Sequence, residues 1–94
     1  MNLLGLAFRA NKVVTGQEFV VNAIKSHQAK FVFLASDTSL RTLNELKSII
    51  KKNEINYTDR FTQSELSNAI GRDRKTIAIT DKGFAGRFNE LIDN

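Results

Sequence analysis

The chain has no cysteine, no proline and a single histidine. Without cysteine there is no disulfide, no thiolate metal site and no redox chemistry through sulfur. His27 alone cannot build a multi-histidine metal site. No proline-rich, low-complexity or repeated segment breaks the chain into parts. One domain over residues 1–94 is therefore expected, long enough to bury a core without staples. No apolar run approaches the ~18 residues a membrane helix requires. The opening stretch, Met1 to Phe8, is apolar, but no cationic flank precedes it and Arg9 and Lys12 interrupt it early. It reads as the first helix of the domain rather than as a leader. A reducing cytoplasmic location fits the lack of cysteine.

Catalytic signatures are lacking as well. There is no nucleophile elbow, no phosphate-loop glycine pattern and no paired-carboxylate signature. His27 reads as a helix-end histidine favoured by the helix dipole. The chain is expected to be a non-enzyme with no cofactor.

What is present is positive charge: Lys and Arg number 14 against 10 Asp and Glu, a net charge of +4, with a pI near 9.7. Such a balance favours an anionic partner. Residues 1–30 carry Arg9, Lys12, Lys25 and Lys30 against Glu18 alone. A second concentration, Arg72, Arg74 and Lys75, lies around residue 73.

Hydrophobic periodicity alternates between helical and strand-like along the whole chain, which argues α/β layering. Residues 3–11 predict a helix and Lys12-Val13-Val14 a short strand. Thr15-Gly16-Gln17-Glu18 has the form of a capping box. It opens a helix whose stripe of Phe19, Val20, Ala23, Ile24 and His27 predicts a buried face, with Phe19 in the core. Phe31 to Ala35 is a continuous apolar run suited to a strand covered on both faces. Ser36 to Ser39 offers N-cap oxygens for a helix with Leu40, Leu43, Leu46, Ile49 and Ile50 inward. That helix stops at Lys51-Lys52-Asn53, where the asparagine can take a left-handed turn. Ile55 to Thr58 predicts a weaker strand. Thr62 to Glu65 is a second capping box, for a helix through Leu66, Ala69 and Ile70 that ends at Gly71. Thr76 to Thr80 is the last strand. Asp81 caps a final helix with Phe84, Phe88, Leu91 and Ile92 toward the core. Helices between strands predict a sheet sandwiched between helical layers.

Two places could hold an anion. The first is the start of the second helix at Thr15–Glu18, where unpaired amides and the dipole favour phosphate. The second is the loop before the last strand. There Arg72, Arg74 and Lys75 can pair with phosphate, and arginine can stack on a base. Each alone describes a solvated surface as well as a site. Together, if the fold joins them, they make one basic cleft. Asp37, after a buried strand, fits a helix cap and a binding role equally well.

The stretches "GQEFVVNAIKSHQAKFVFLASDTS", "LSNAIGRDRKTIAIT" and "GFAGRF" resemble the kink-turn RNA-binding ribosomal proteins, the L-seven-Ae / L-thirty-e superfamily, and within it the bacterial YlxQ-type branch. The resemblance covers nearly the whole chain. It implies a three-layer α-β-α sandwich with a mixed four-stranded sheet. It also implies that the protein holds bent or bulged RNA, recognised by shape and splayed bases.

The family's motif is Gly-x-Asn-Glu-x-x-Lys. Gly16 matches its glycine. Glu18 stands where asparagine is usual, Phe19 where glutamate is usual, and Asn22 where lysine is usual. The RNA-binding residues the resemblance implies are Gly16, Gln17, Glu18, Asn22 and Lys25 on one jaw, with Asp37 at the floor. Ala69, Ile70, Gly71, Arg72 and Arg74 form the other jaw, the first three matching an apolar loop that covers a flipped-out nucleotide. The backbone amides of Gly16 and Gln17 are expected to receive phosphate, and Lys25 to replace part of the missing lysine charge. Structured RNA, ribosomal RNA among the candidates, is the implied partner, with ribosomal or RNA-processing proteins alongside it. The departures at Glu18, Phe19 and Asn22 admit a second expectation, a protein-interaction module of the same fold.

Overall fold

The computed structural model describes residues 2–92. Its elements run α1 (Asn2–Arg9), β1 (Val13–Thr15), α2 (Gln17–Lys25), β2 (Phe31–Leu34), α3 (Leu40–Lys52), β3 (Asn56–Thr58), α4 (Gln63–Ile70), β4 (Thr76–Ile79) and α5 (Lys82–Leu91). The strands form one sheet in the order β1-β4-β2-β3. β4 pairs antiparallel with both β1 and β2, while β3 runs parallel to β2, so the sheet is mixed.

The two-residue period of a strand divides the core into two halves. Phe31, Phe33, Ala35, Ile77 and Ile79 face α1, α4 and α5, packing with Leu4, Ala7, Leu66, Ile70 and Phe88. Val32, Leu34 and Ala78 face the other way, onto α2 and α3, with Val20, Ile24, Leu43, Leu46 and Ile50. Each face of the sheet thus has its own helical layer, giving the α-β-α sandwich. Phe31, Phe33 and Phe88 stack edge and face with ring centroids 5.0 to 5.9 Å apart. This aromatic cluster fixes α5 on the central strands.

Three helix starts follow their sequence signals. Ser39 caps α3, its hydroxyl accepting from the Thr42 amide. Thr62 and Glu65 make both bonds of a capping box on α4. Asp81 caps α5 by accepting from the Phe84 amide at 3.0 Å.

The start of α2 departs from its signal. Gly16, not Thr15, is the N-cap, and no side chain caps this helix. Thr15 ends β1 opposite Ile77, and its hydroxyl accepts from Arg74 Nε. Strand pairing has claimed the residue that would have capped. Three apolar assignments also change. Phe19 is 67% exposed, and Leu40 and Leu91 are largely exposed too. The buried residues of α2 are Val20, Ala23 and Ile24, and Phe19 precedes Val20 by a 100° step, which carries it off that face. Leu40 is the first residue of α3 and Leu91 the last of α5, and beyond α5 it is Ile92 that is buried. His27 lies past the end of α2, exposed and left-handed (φ 63°). At the end of α3 the left-handed residue is Glu54, while Asn53 keeps a negative φ and donates its side-chain amide to the Ile49 carbonyl.

Lys47 on α3 reaches Asp59 at 2.8 Å, tying the helix to the turn after β3. The hydrogen bond to Asp59 raises the Lys47 pKa above its ordinary 10.5, against the opposing effect of burial. On the lysine side, what the pair contributes is intact at neutral pH and is lost as alkali carries the pH through the raised value. No helix among the described residues is long and apolar enough to cross a membrane.

Candidate functional site

Antiparallel pairing places the end of β1 against the start of β4. Thr15 sits opposite Ile77, and the Gly16 amide donates to the Thr76 carbonyl at 3.0 Å. The turn that opens α2 and the loop that precedes β4 are thereby made neighbours. Arg74 closes the junction: its Nε donates to Thr15 Oγ1 at 3.1 Å, across 59 positions of chain.

The loop is itself braced. Ser67 on α4 accepts from the Arg74 amide at 2.9 Å and donates back to the Arg74 carbonyl. Gln63 donates from its side chain to Asp73 at 2.6 Å. Asp37 accepts from the Gln63 backbone amide at 2.9 Å, so the β2–α3 turn is fastened to the first turn of α4. The Ala35 amide donates to the Lys75 carbonyl. Three loops are joined through these bonds, and they enclose a cleft of about 330 Å³. Gly16 and Gln17 form one wall, Thr38, Ser39 and Thr42 a second, and Gln63 with residues 73–76 the third.

The cations divide around this cleft. Arg74 and Lys75 line it. Arg72 turns toward α1, its guanidinium 5.6 Å from the centre of the Phe8 ring, a cation–π geometry. Asp73 partly offsets the charge, but its carboxylate is engaged by Gln63. Among the described residues no group of His, Asp or Glu is placed to hold a metal ion.

A model of the ribosomal protein L7Ae/L30e/S12e/Gadd45 family matches residues 1–88. The chain belongs to that family. It is 40% identical over 93 residues to the RNA-binding protein YlxQ of Enterococcus faecium, covering 99% of this chain and 90% of that one. It is 36% identical over 92 residues to the RNA-binding protein YlxQ of Bacillus subtilis (strain 168), covering 97% and 92%. Among solved structures, a protein of unknown function from Bacillus halodurans C superposes with a TM-score of 0.94 at 35% identity, over 99% of this chain and 95% of that one. The Giardia lamblia 15.5kD RNA binding protein superposes with a TM-score of 0.78 at 14% identity, over 97% and 85%, which is a likeness of fold.

Within the L7Ae/L30e/S12e/Gadd45 fold the expected site residues take different places. Gly16, Gln17 and Arg74 line the cleft. Glu18, Asn22 and Lys25 stand on the exposed face of α2. The Gly16 amide is already bonded to Thr76, so it is not free to receive an anion. Asp37 is neither a cap of its own helix nor the floor of the cleft; it is an additional cap on α4. Ile70 is only 7% exposed and packs in the core, so it is not an apolar tip. Ala69 is half-buried and Gly71 exposed. Lys75 lines the cleft as its loop's charge suggested, while Thr38, Ser39, Thr42 and Gln63 line it without having been expected there. Local sequence carries no sign of their convergence except the turn-forming character of Ser36–Ser39.

Gly16 holds φ 96° and ψ 140°, a conformation that a residue with a Cβ adopts only under strain. A Cβ built there would meet Phe19 Cδ2 at an ordinary 3.8 Å, so the cost is conformational rather than steric crowding. Gly16→Ala is expected to lower stability by about 1–3 kcal/mol. Urea denaturation checks this through a lower midpoint at unchanged slope.

Proposed function

We propose that this chain is a non-enzymatic RNA-binding protein that holds a bent or bulged RNA of the kink-turn type, acting as one unit over residues 1–94. The observation that carries this reading is the joining of the α2 start to the α4–β4 loop by the Arg74–Thr15 and Gly16–Thr76 hydrogen bonds. The RNA-binding names of the two YlxQ relatives support it.

The lack of a side-chain cap on α2 gains a meaning here. The first-turn amides of a helix have no partner within it. With Thr15 committed to Arg74, the amides from Gln17 onward are left for a phosphate oxygen, at the positive end of the helix dipole. Arg74 and Lys75 add positive charge on the facing wall, and Arg72 extends it toward α1. Backbone contacts of this kind position an RNA, while the shape of the bend gives selectivity. A cytoplasmic role on ribosomal or other structured RNA during translation follows from this reading.

The test is binding to a kink-turn RNA and to the same RNA with its G·A pairs disrupted, each at two salt concentrations. The reading predicts tighter binding to the intact kink-turn and a log–log salt slope of about −0.7 to −0.9 per phosphate contact. Equal affinity for both RNAs would leave only a basic surface. A flat salt response would remove the electrostatic grip.

A further inference from the structure

Among the described residues, Phe19 is the one aromatic that is largely exposed. It stands in the first turn of α2, with its ring beside the Gly16 turn: a Cβ at Gly16 would lie 3.8 Å from Phe19 Cδ2. Gly16 and Gln17 line the cleft that Arg74 and Lys75 also line. An apolar ring is thus set at the rim of a cationic hollow.

Burial does not explain the ring, because the core of α2 is made by Val20, Ala23 and Ile24. The other exposed large apolar residues are Leu6, Leu40 and Leu91, on α1, α3 and α5. The exposed companions of Phe19 on α2 are Gln17, Glu18, Asn22 and Lys25, none of them apolar. A protein hot spot is a side chain set in a well-packed pocket and ringed by contacts that exclude water. A base platform needs something else: one flat face, polar groups able to meet a base edge, and cations for the adjoining phosphates. Asn22, one turn along from Phe19, carries both a donor and an acceptor.

We propose that Phe19 is a stacking platform for one unpaired RNA base, an inference that rests on the RNA-binding reading above. The ring supplies a sequence-tolerant contact, Asn22 meets the edge of the stacked base, and the cleft takes the neighbouring phosphates.

The experiment compares the unaltered protein with Phe19→Leu and Phe19→Trp. The probes are a kink-turn RNA with its unpaired nucleotides and a fully paired duplex of matching length. Leucine keeps apolar bulk and removes the ring. Phe19→Leu is expected to weaken kink-turn binding about 5- to 150-fold, the range for loss of one base–aromatic stack. Duplex binding and the melting temperature should stay unchanged. The chain has no tryptophan, so Phe19→Trp introduces a single indole. Its emission should be quenched by the kink-turn RNA and not by the duplex.

Kink-turn affinity unchanged in Phe19→Leu, with indole emission unchanged at saturation, would overturn the stacking role while leaving RNA binding in place. The unaltered protein binding neither RNA would overturn both. If Phe19→Leu lowers the melting temperature, the quenching result decides. Loss of a protein partner from Phe19→Leu at constant RNA affinity would assign the ring to protein docking and end the proposal.

Discussion

Ile70→Asp is expected to unfold the protein rather than to retune its RNA preference. Ile70 is the last residue of α4 and lies in the core with Leu4, Ala7, Leu66 and Phe33. Removing a buried aliphatic side chain of this size costs about 2–5 kcal/mol. A carboxylate in its place must be desolvated without a partner or must take up a proton, and either adds to the cost. A domain of this size holds only about 5–15 kcal/mol in total. Circular dichroism at neutral pH should show a large loss of cooperative melting. Ile70→Val should cost about 0.5–1.5 kcal/mol and leave RNA binding as it was. A folded Ile70→Asp protein with a native melting temperature and a defect confined to bulged RNA would place this side chain at the surface, against the structure. The apolar end of the loop is therefore an anchor. What it offers outward is Gly71, in the left-handed conformation (φ 76°) that ends α4, and the cations that follow.

The other large effect belongs to Arg72 and Arg74. Replacing both by alanine is expected to lower RNA affinity by about two decades or more, taking about 1.5–3 kcal/mol for each charge-assisted contact. The log–log salt slope should fall in magnitude by about 1.4–1.8, as two phosphate contacts disappear. Stability should fall only modestly. Arg72 lies exposed over Phe8, and Arg74 loses its hydrogen bonds to Thr15 Oγ1 and to the Asp73 carbonyl, worth about 0.5–1.5 kcal/mol each. Arg74→Lys separates charge from geometry. It keeps the cation but loses the planar fork that lets one guanidinium bond Thr15 and still face the cleft. An intermediate affinity is expected, with the slope nearly restored. An unchanged slope in the double-alanine protein, measured by fluorescence anisotropy over a salt series, would show that phosphates do not reach this loop.

Much of the architecture was legible in the sequence. The buried run Phe31 to Ala35, the spacing of Leu43, Leu46 and Ile50, and the capping signals at Ser39, Thr62 and Asp81 each reflect a local preference that the tertiary structure preserves. The failures cluster where distant pairing overrides a local signal. Thr15 and Glu18 have the spacing of a capping box, but Thr15 is consumed by the β1–β4 ladder and by Arg74. Phe19 extends the apolar stripe by one residue, yet a single helical step turns it out of the core. Asp37 is adjacent to its own helix and caps another, twenty-six positions away.

The candidate site was legible only in pieces. Two basic segments could be identified, but their adjacency depends on strand order, which no local pattern encodes. The cleft residues from the β2–α3 turn and from Gln63 become neighbours only through that topology. The same logic explains why Lys25 and Glu18, close to Gly16 in sequence, point to open solvent rather than into the cleft. The helical period separates residues that sequence distance brings together.

Amide chemical shifts followed during a titration with kink-turn RNA test the central claim most directly. If the α2 start and the α4–β4 loop form a single grip, the amides of residues 17–19 and of residues 71–75 should shift together, with one common saturation curve, while those of α5 and β3 stay put. Shifts confined to one of the two segments, or centred on α5 and β3, would contradict it.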